Sequence, residues 1–257
     1  MNYHVAMITG ASSGIGKAIA ETLAKQGVGL ILLARREERL QQLKKQLQNQ
    51  TECYVIACDI NDHQTLSNAL DELPEDFRTI DVLINNAGLA LGLNPAHETD
   101  WNDWQTMIET NCLSLAYLTR RLLPDMVKRN HGHIINIGSI AGTYHYKGAN
   151  VYGATKAFVE QFSINLRSDL LGTAVRVTNV EPGLLNESEF SLVRFKGDET
   201  KAENVYQGLQ PLKSSDVAES VRWILAQPAH VNINRIELMP VNQAPGGPMT
   251  SVTQTQS

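Results

Sequence analysis

Short apolar runs recur along the chain, separated by longer stretches in which apolar residues return every three or four positions. The short runs are Val5-Ala-Met-Ile8, Leu30 to Ala34, Glu52 to Cys58, Ile80-Asp-Val-Leu-Ile84, His133 to Ser139, Ala174 to Val180 and Arg235-Ile-Glu-Leu-Met239. Several are almost wholly apolar, which suits strands covered on both faces. Between them, Lys17 to Gln26 sets Ile19, Ala20 and Leu23 on one side of a helix, and Glu37 to Gln50 reads as a polar amphipathic helix. Thr65 to Leu73 is a third helix, ended by Pro74. Trp101 to Arg129 is long and helical, with Met107, Ile108, Leu115, Leu118 and Leu122 facing the core and a break at Pro124. A helix from near Val151 to Leu171 turns Phe158, Phe162 and Leu166 inward. Another, capped by Ser214 or Ser215 and running through Ala226, turns in Trp223 and Ile224. Strands alternating with helices predict an α/β domain with a parallel sheet. Leu184 to Leu212 has no core pattern, and a patternless stretch of this length reads as a substrate lid. From Gln243 the chain is a tail of Gly, Pro, Thr, Gln and Ser.

Composition narrows the class. A chain of 257 residues suits one domain of this kind, here residues 1–242 with the tail at 243–257. A net charge of −5 offers no basic footprint for nucleic acid. The three cysteines, Cys53, Cys58 and Cys112, lack metal-ligand spacing, and an odd count argues for a reducing compartment. The opening Met-Asn-Tyr-His-Val shows no signal-peptide pattern, and the apolar run Val28 to Ala34 falls far short of the ~20 residues a membrane helix needs. The expectation is a cytoplasmic protein that binds neither membrane nor nucleic acid, and no metal site is expected.

The candidate chemistry centres on Ser139 to Lys156. A buried-looking strand delivers Ser139 to its end, a loop containing Tyr144 and His145 follows, and Tyr152 and Lys156 then stand four apart on one helix face. A free phenol titrates near pH ~10, and an ammonium beside it favours the phenolate. Ser139 can hydrogen-bond a substrate oxygen and place it beside the phenol. Upstream, Gly10-x3-Gly14-x-Gly16 lies between a strand and a helix, where glycine lets a pyrophosphate approach and the helix start offers free N–H groups. Arg35 and Arg36 follow the second strand, where a site specific for NAD usually carries an acid. Two guanidiniums suit a 2′-phosphate, so the cofactor expected is NADP.

Thr9-Gly10-Ala-Ser-Ser-Gly14-Ile-Gly16, Asn85-Asn86-Ala87-Gly88 and the set Ser139, Tyr152 and Lys156 together resemble the short-chain dehydrogenase/reductase family over about residues 4 to 240. The resemblance implies a single doubly wound Rossmann-type domain of about seven parallel strands in the order 3-2-1-4-5-6-7. It makes Gly10, Ser12, Ser13, Gly14, Ile15 and Gly16 the pyrophosphate cradle, Asn86 a contact to the adenosine ribose, and Pro182-Gly183 a turn over the nicotinamide. It gives Asp59, with Ile60, to the adenine, although Asp59 could equally cap the helix that follows. A Thr is common soon after Pro-Gly in the family, and here the comparable hydroxyl is Ser188. Asn111, otherwise a polar residue kinking a helix, becomes a catalytic residue bonding a relay water. Lys156 also holds the nicotinamide ribose.

Asn85 to Gly92, Arg129 to His133, Val193 to Asp198 and Pro228 to Asn234 are similar, within the family, to bacterial enzymes oxidising small 3-hydroxy acids such as serine, allo-threonine and 3-hydroxypropionate with NADP. For such a substrate Arg194 is the candidate carboxylate ligand, with Lys196 as second choice, unless both are solvated surface charges. A homo-oligomer, by resemblance a homotetramer, is implied. A short-chain reductase of a larger carbonyl, a non-catalytic NADP(H) sensor and a scaffold are the competing readings.

Overall fold

Successive side chains of a strand point to opposite faces, so a strand apolar at every position needs cover on both sides. In β1 (Val5–Thr9), Ala6 and Ile8 enter one core and Val5 and Met7 the other; in β2 (Gly29–Ala34), Leu30 and Leu32 separate from Ile31 and Leu33 in the same way. The computed structural model describes residues 3–186, 189–207 and 209–246. Beyond β2 lie β3 (Cys53–Ala57), β4 (Val82–Asn85), β5 (Gly132–Ile137), β6 (Val175–Pro182) and β7 (Arg235–Leu238), and all seven form one parallel sheet in the order β3-β2-β1-β4-β5-β6-β7. This is the doubly wound order expected from the family resemblance.

On one face, α1 (Gly14–Ala24) and α2 (Glu37–Leu47) bury Ile19, Leu23, Leu40, Leu43 and Leu47. The other face is covered by α3 (His63–Asp71), which buries Leu66 and Leu70. The Asp62 carboxylate caps α3 by accepting from Thr65 N at 3.0 Å. A short α4 (Glu75–Arg78) then leads to β4. The long helical stretch is α5 (Trp101–Ile108), one π turn at Glu109–Leu113, and α6 (Ser114–Arg129). The break expected at Pro124 is therefore at the π turn instead. Proline forfeits one helix hydrogen bond, and the buried Leu118, Leu122 and Met126 hold α6 together around it. The helix α7 (Asn150–Asp169) follows β5.

The stretch 184–212 is closed at its neck by Leu185 pairing with Leu212, with Leu212 N donating to Leu184 O at 2.9 Å. It contains α8 (Phe190–Arg194) and α9 (Glu199–Asn204). The helix α10 (Ser214–Leu225) begins after Lys213, whose N–H donates to Asp216 Oδ2 at 2.8 Å. Lys213 therefore holds the capping position expected of Ser214 or Ser215. Ile108, Phe158 and Trp223 are exposed, not inward as their spacing suggested. Helix periodicity locates an apolar stripe but not its edges. The start of the tail is engaged, because Gln243 Oε1 accepts from Leu184 N at 2.8 Å. Among the described residues no helix is long and apolar enough to cross a membrane.

A parallel sheet puts every strand's carboxyl end on one edge. Gly10, Arg35, Asp59, Asn86, Ser139 and Gly183 all follow such ends directly or within a residue or two, so topology alone gathers them.

Candidate active site

The turn between β1 and α1 is built for close approach. Gly10 and Gly14 sit at φ 66° and 52°, in the left-handed region that glycine adopts at little cost. A Cβ on Gly16 would lie 2.4 Å from Gly10 O and 2.6 Å from Asn86 Nδ2. Ser13 precedes α1 without any side-chain cap, which leaves the first N–H groups of the helix for an anion. Asn86 latches this turn to β4, its Nδ2 donating to Thr9 O at 2.8 Å and its N–H to Thr9 Oγ1 at 2.9 Å. Ile60 is buried, and Asp59 Oδ1 accepts from Asn61 N at 2.9 Å, bracing the turn before α3 and leaving the capping to Asp62.

Two guanidiniums converge on one anion beside the glycine turn. Arg36 Nη2 donates to Ser13 Oγ (3.0 Å) and Ser12 Oγ (3.2 Å) and pairs with Glu189 Oε2 at 2.6 Å, while Arg39 Nη1 pairs with Glu189 Oε1 at 2.9 Å. These arginines hold the Glu189 carboxyl down at about 2, well below the ordinary carboxylate range. Arg35 is exposed at the end of β2, and the converging partner of Arg36 is Arg39, which in sequence reads only as a charge at the start of a helix. The cradle thus fits a nucleotide with an additional phosphate near Ser12, Ser13, Arg36 and Arg39.

The second half of the site faces it from β5 and α7. Ser139 Oγ accepts from Ala141 N at 3.1 Å, and its hydroxyl is near enough to the buried Tyr152 phenol to act on its pKa. Burial pushes the Tyr152 pKa up to about 12, against the Ser139 hydroxyl and the Arg194 charge, which lower it. Lys156 Nζ donates to Ile137 O at 2.8 Å, and burial pulls its pKa down to about 8. The cation that acts on Tyr152 here is Arg194, whose guanidinium carbon lies 4.9 Å from the ring centroid, rather than the Lys156 expected from sequence.

Asn111 is set inward by the π turn, which re-aims one residue of an otherwise regular helix. Its Nδ2 donates to Leu89 O (2.8 Å) and Thr155 Oγ1 (3.0 Å), and its Oδ1 accepts from Leu89 N (2.9 Å). The amide therefore joins the loop after β4 to α7. Gly88 lies between two of these groups: a Cβ there would be 3.2 Å from Asn111 Oδ1 and 3.5 Å from Lys156 Nζ. The Asn85-Asn-Ala-Gly motif signals this position, but not what it separates.

Arg194 comes into the site from α8. Its side chain stacks on Tyr152, Phe190 and Tyr146, and Nη2 donates to Tyr146 Oη at 3.0 Å. Arg194 Nε is buried without a partner. Lys196 is turned away, paired with Asp103 at 2.9 Å. Tyr146, not Tyr144, is the loop aromatic at this end, since Tyr144 Oη donates to Glu237. Sequence reasoning missed Tyr146 and Phe190, whose only signal is aromatic character in unpatterned loops. Pro182 ends β6, and Gly183 N donates to Leu238 O at 2.7 Å. Ser188 lies outside the described residues. Among those described, no group of His, Cys, Asp or Glu could hold a metal ion.

A nucleotide cradle at the carboxyl edge of a doubly wound sheet, facing a half-buried Ser139 and the buried Tyr152 and Lys156, defines a dinucleotide-dependent oxidoreductase. Residues 4–196 match the short chain dehydrogenase family, and the chain belongs to it. It is 53% identical to the NADP-dependent 3-hydroxy acid dehydrogenase YdfG of Escherichia coli (strain K12), over 95% of this chain and 97% of that protein. It is 48% identical to the serine 3-dehydrogenase of Rhizobium radiobacter, over 94% and 95%. Among solved structures, the closed form of a serine dehydrogenase complexed with NADP+ superposes with a TM-score of 0.93 at 51% identity, covering 97% of this chain and all of that one.

Proposed function

We propose that the protein is an NADP-dependent dehydrogenase acting at the 3-hydroxyl, or the 3-oxo carbon in reverse, of a small 3-hydroxy acid such as L-serine, L-allo-threonine or 3-hydroxypropionate. The names of its relatives support this class, and Arg194 is the observation that carries it. A guanidinium stacked on the Tyr152 ring, with its Nε buried and unsatisfied, is costly unless a ligand completes it. A carboxylate does so, with charge-assisted bonds. A plain secondary alcohol would leave it unpaired.

The bound nicotinamide would take up or supply the hydride. The protein's own residues do the rest. Arg194 fixes the substrate carboxylate, Ser139 holds the reacting oxygen, and Tyr152 exchanges a proton with it. Lys156, anchored on Ile137 O, stands within the same site, and Asn111 keeps Gly88, Leu89 and Thr155 in register around it. Gly10, Ser12, Ser13 and the N–H groups of Gly14, Ile15 and Gly16 would hold the pyrophosphate, with Arg36 and Arg39 at the 2′-phosphate. The stretch 184–212 is the lid, since it brings Phe190 and Arg194 onto Tyr152. Exposed Ile108, Leu113, Phe158 and Ile164 on the helices α5 to α7 and the π turn support self-association, read as a homotetramer from the resemblance.

The test is NADPH formation from NADP with L-serine, L-allo-threonine and 3-hydroxypropionate, beside a secondary alcohol and a sugar. Turnover with the hydroxy acids alone is expected, and turnover with only the alcohol or sugar would discard the substrate class. Tyr152→Phe should keep NADPH binding and lose turnover by about 10²-fold or more.

A further inference from the structure

A charged cluster at the β6–β7 edge of the site has no part in the reading above. Arg235, the first residue of β7, donates to four side chains. Nε reaches Glu181 Oε2 at 2.7 Å and Nη1 reaches Glu160 Oε1 at 2.8 Å, while Nη2 reaches Thr143 Oγ1 at 2.7 Å and Glu237 Oε2 at 3.3 Å. Nη2 also lies 2.6 Å from Glu181 Oε2. Three of the partners stand on segments that build the active site. Thr143 ends the turn that begins at Ser139, Glu160 lies one helical turn beyond Lys156 on α7, and Glu181 directly precedes Pro182-Gly183. Cross-links among them tighten the unit: Thr143 Oγ1 donates to Glu160 Oε2 at 3.3 Å and Asn179 Nδ2 to Glu181 Oε1 at 2.6 Å. The Ser139 turn lies hard against α7, since a Cβ on Gly142 would be 2.8 Å from the Lys156 carbonyl carbon.

We propose that Arg235 is a positioning residue for the catalytic set, its guanidinium clamping the Ser139 turn, the Tyr152–Lys156 helix and the Glu181-Pro182-Gly183 strand end into one geometry. The inference rests on the reading that Ser139, Tyr152 and Lys156 carry the chemistry. Guanidinium is suited to the task because its five donors are fixed in one plane and can serve several oxygens at once, where an ammonium is a single point of charge. Glu181 is nearly inaccessible to solvent, and removing its counter-ion would strand a buried acid between Glu160 and Glu237. The strand end, the turn and the helix would then separate. Displacement of about 1 Å at a reacting group is enough to cost on the order of 10²-fold in rate.

The experiment compares wild type with Arg235→Met, Arg235→Lys and the milder Thr143→Val. Four quantities are read: kcat and KM for the hydroxy acid, Kd for NADPH by fluorescence, and the ring-carbon resonance of Tyr152 in carbon-13-tyrosine protein, assigned by its loss in Tyr152→Phe. Arg235→Met should lower kcat by about tenfold or more, weaken NADPH by a smaller factor because the glycine turn and Arg36 lie outside the clamp, and shift the Tyr152 resonance. Arg235→Lys should recover part of the rate. Should Arg235→Met fail to fold, Thr143→Val carries the same signs at smaller size. Unchanged kcat and an unmoved Tyr152 resonance would overturn the proposal. So would a rate loss that only matches the unfolded fraction. If the wild type turns over no hydroxy acid, the functional reading fails on its own, and the Tyr152 resonance still decides the clamp.

Discussion

Burial decides what Tyr152 is at neutral pH. With its pKa raised to about 12, the phenol keeps its proton and serves as an acid, which suits reduction of a 3-oxo acid. Oxidation needs the phenolate, whose population grows about tenfold per pH unit below the pKa. The rate of NADPH formation should therefore rise with pH through the neutral range, and a flat profile there would remove Tyr152 as the base. The grouping of Ser139, Tyr152 and Lys156 at one edge of the sheet was legible in sequence, because the strand-loop-helix pattern and the four-residue spacing carry it. The electrostatics were not, because a lysine four residues away says nothing about an arginine brought in by a patternless stretch. Glu181 follows a separate rule. Burial first, then Glu160 and Glu237, raise its pKa from 4.5 to about 7 against the pull of Arg235. The folded state thus holds a proton that the unfolded chain has released. Stability falls as pH rises from about 4.5 to about 7 and levels off above that. Glu181→Gln should flatten this slope, read from urea midpoints across the range.

At the scale of elements, strands and helices were legible because their periods are regular, and the departures mark where periodicity is silent. A π turn adds one residue to a helix without changing its composition, so the sequence offered two places for the interruption, Pro124 and Asn111, and the structure has it around Asn111. Arg39 was legible as a helix charge but not as a partner of Arg36, because the anion that gathers them, Glu189, arrives from 150 residues away. That carboxylate stands where a 2′-phosphate would be expected, and the two must compete for the same guanidiniums. Glu189→Gln should tighten NADP by about two- to fivefold, the range that one or two partly exposed ion pairs support, and leave NAD unaffected. Equal effects on both cofactors, measured by fluorescence titration, would show that Glu189 acts on the lid alone. Gly16→Ala should lose affinity for both, since its Cβ collides with Gly10 O whatever the nucleotide.

For the whole molecule, the parallel sheet makes one edge responsible for binding, and that edge is assembled from segments far apart in the chain. The glycine turn follows β1, Arg36 and Arg39 follow β2, Asn86 follows β4, and Ser139 and Gly183 follow β5 and β6. An unfolded chain cannot present them together, so a nucleotide that binds here stabilises only the folded state. At a hundred times Kd the gain is about 2.7 kcal/mol. For a chain of this size that corresponds to a rise in Tm of roughly 5–10 °C. NADP should produce it at concentrations where NAD produces little, and Arg36→Ala should bring the two cofactors closer together. Calorimetric melting with each nucleotide checks this without any substrate. A shift equal for both, unchanged in Arg36→Ala, would mean that the cradle binds a dinucleotide but that Arg36 does not read its 2′-phosphate.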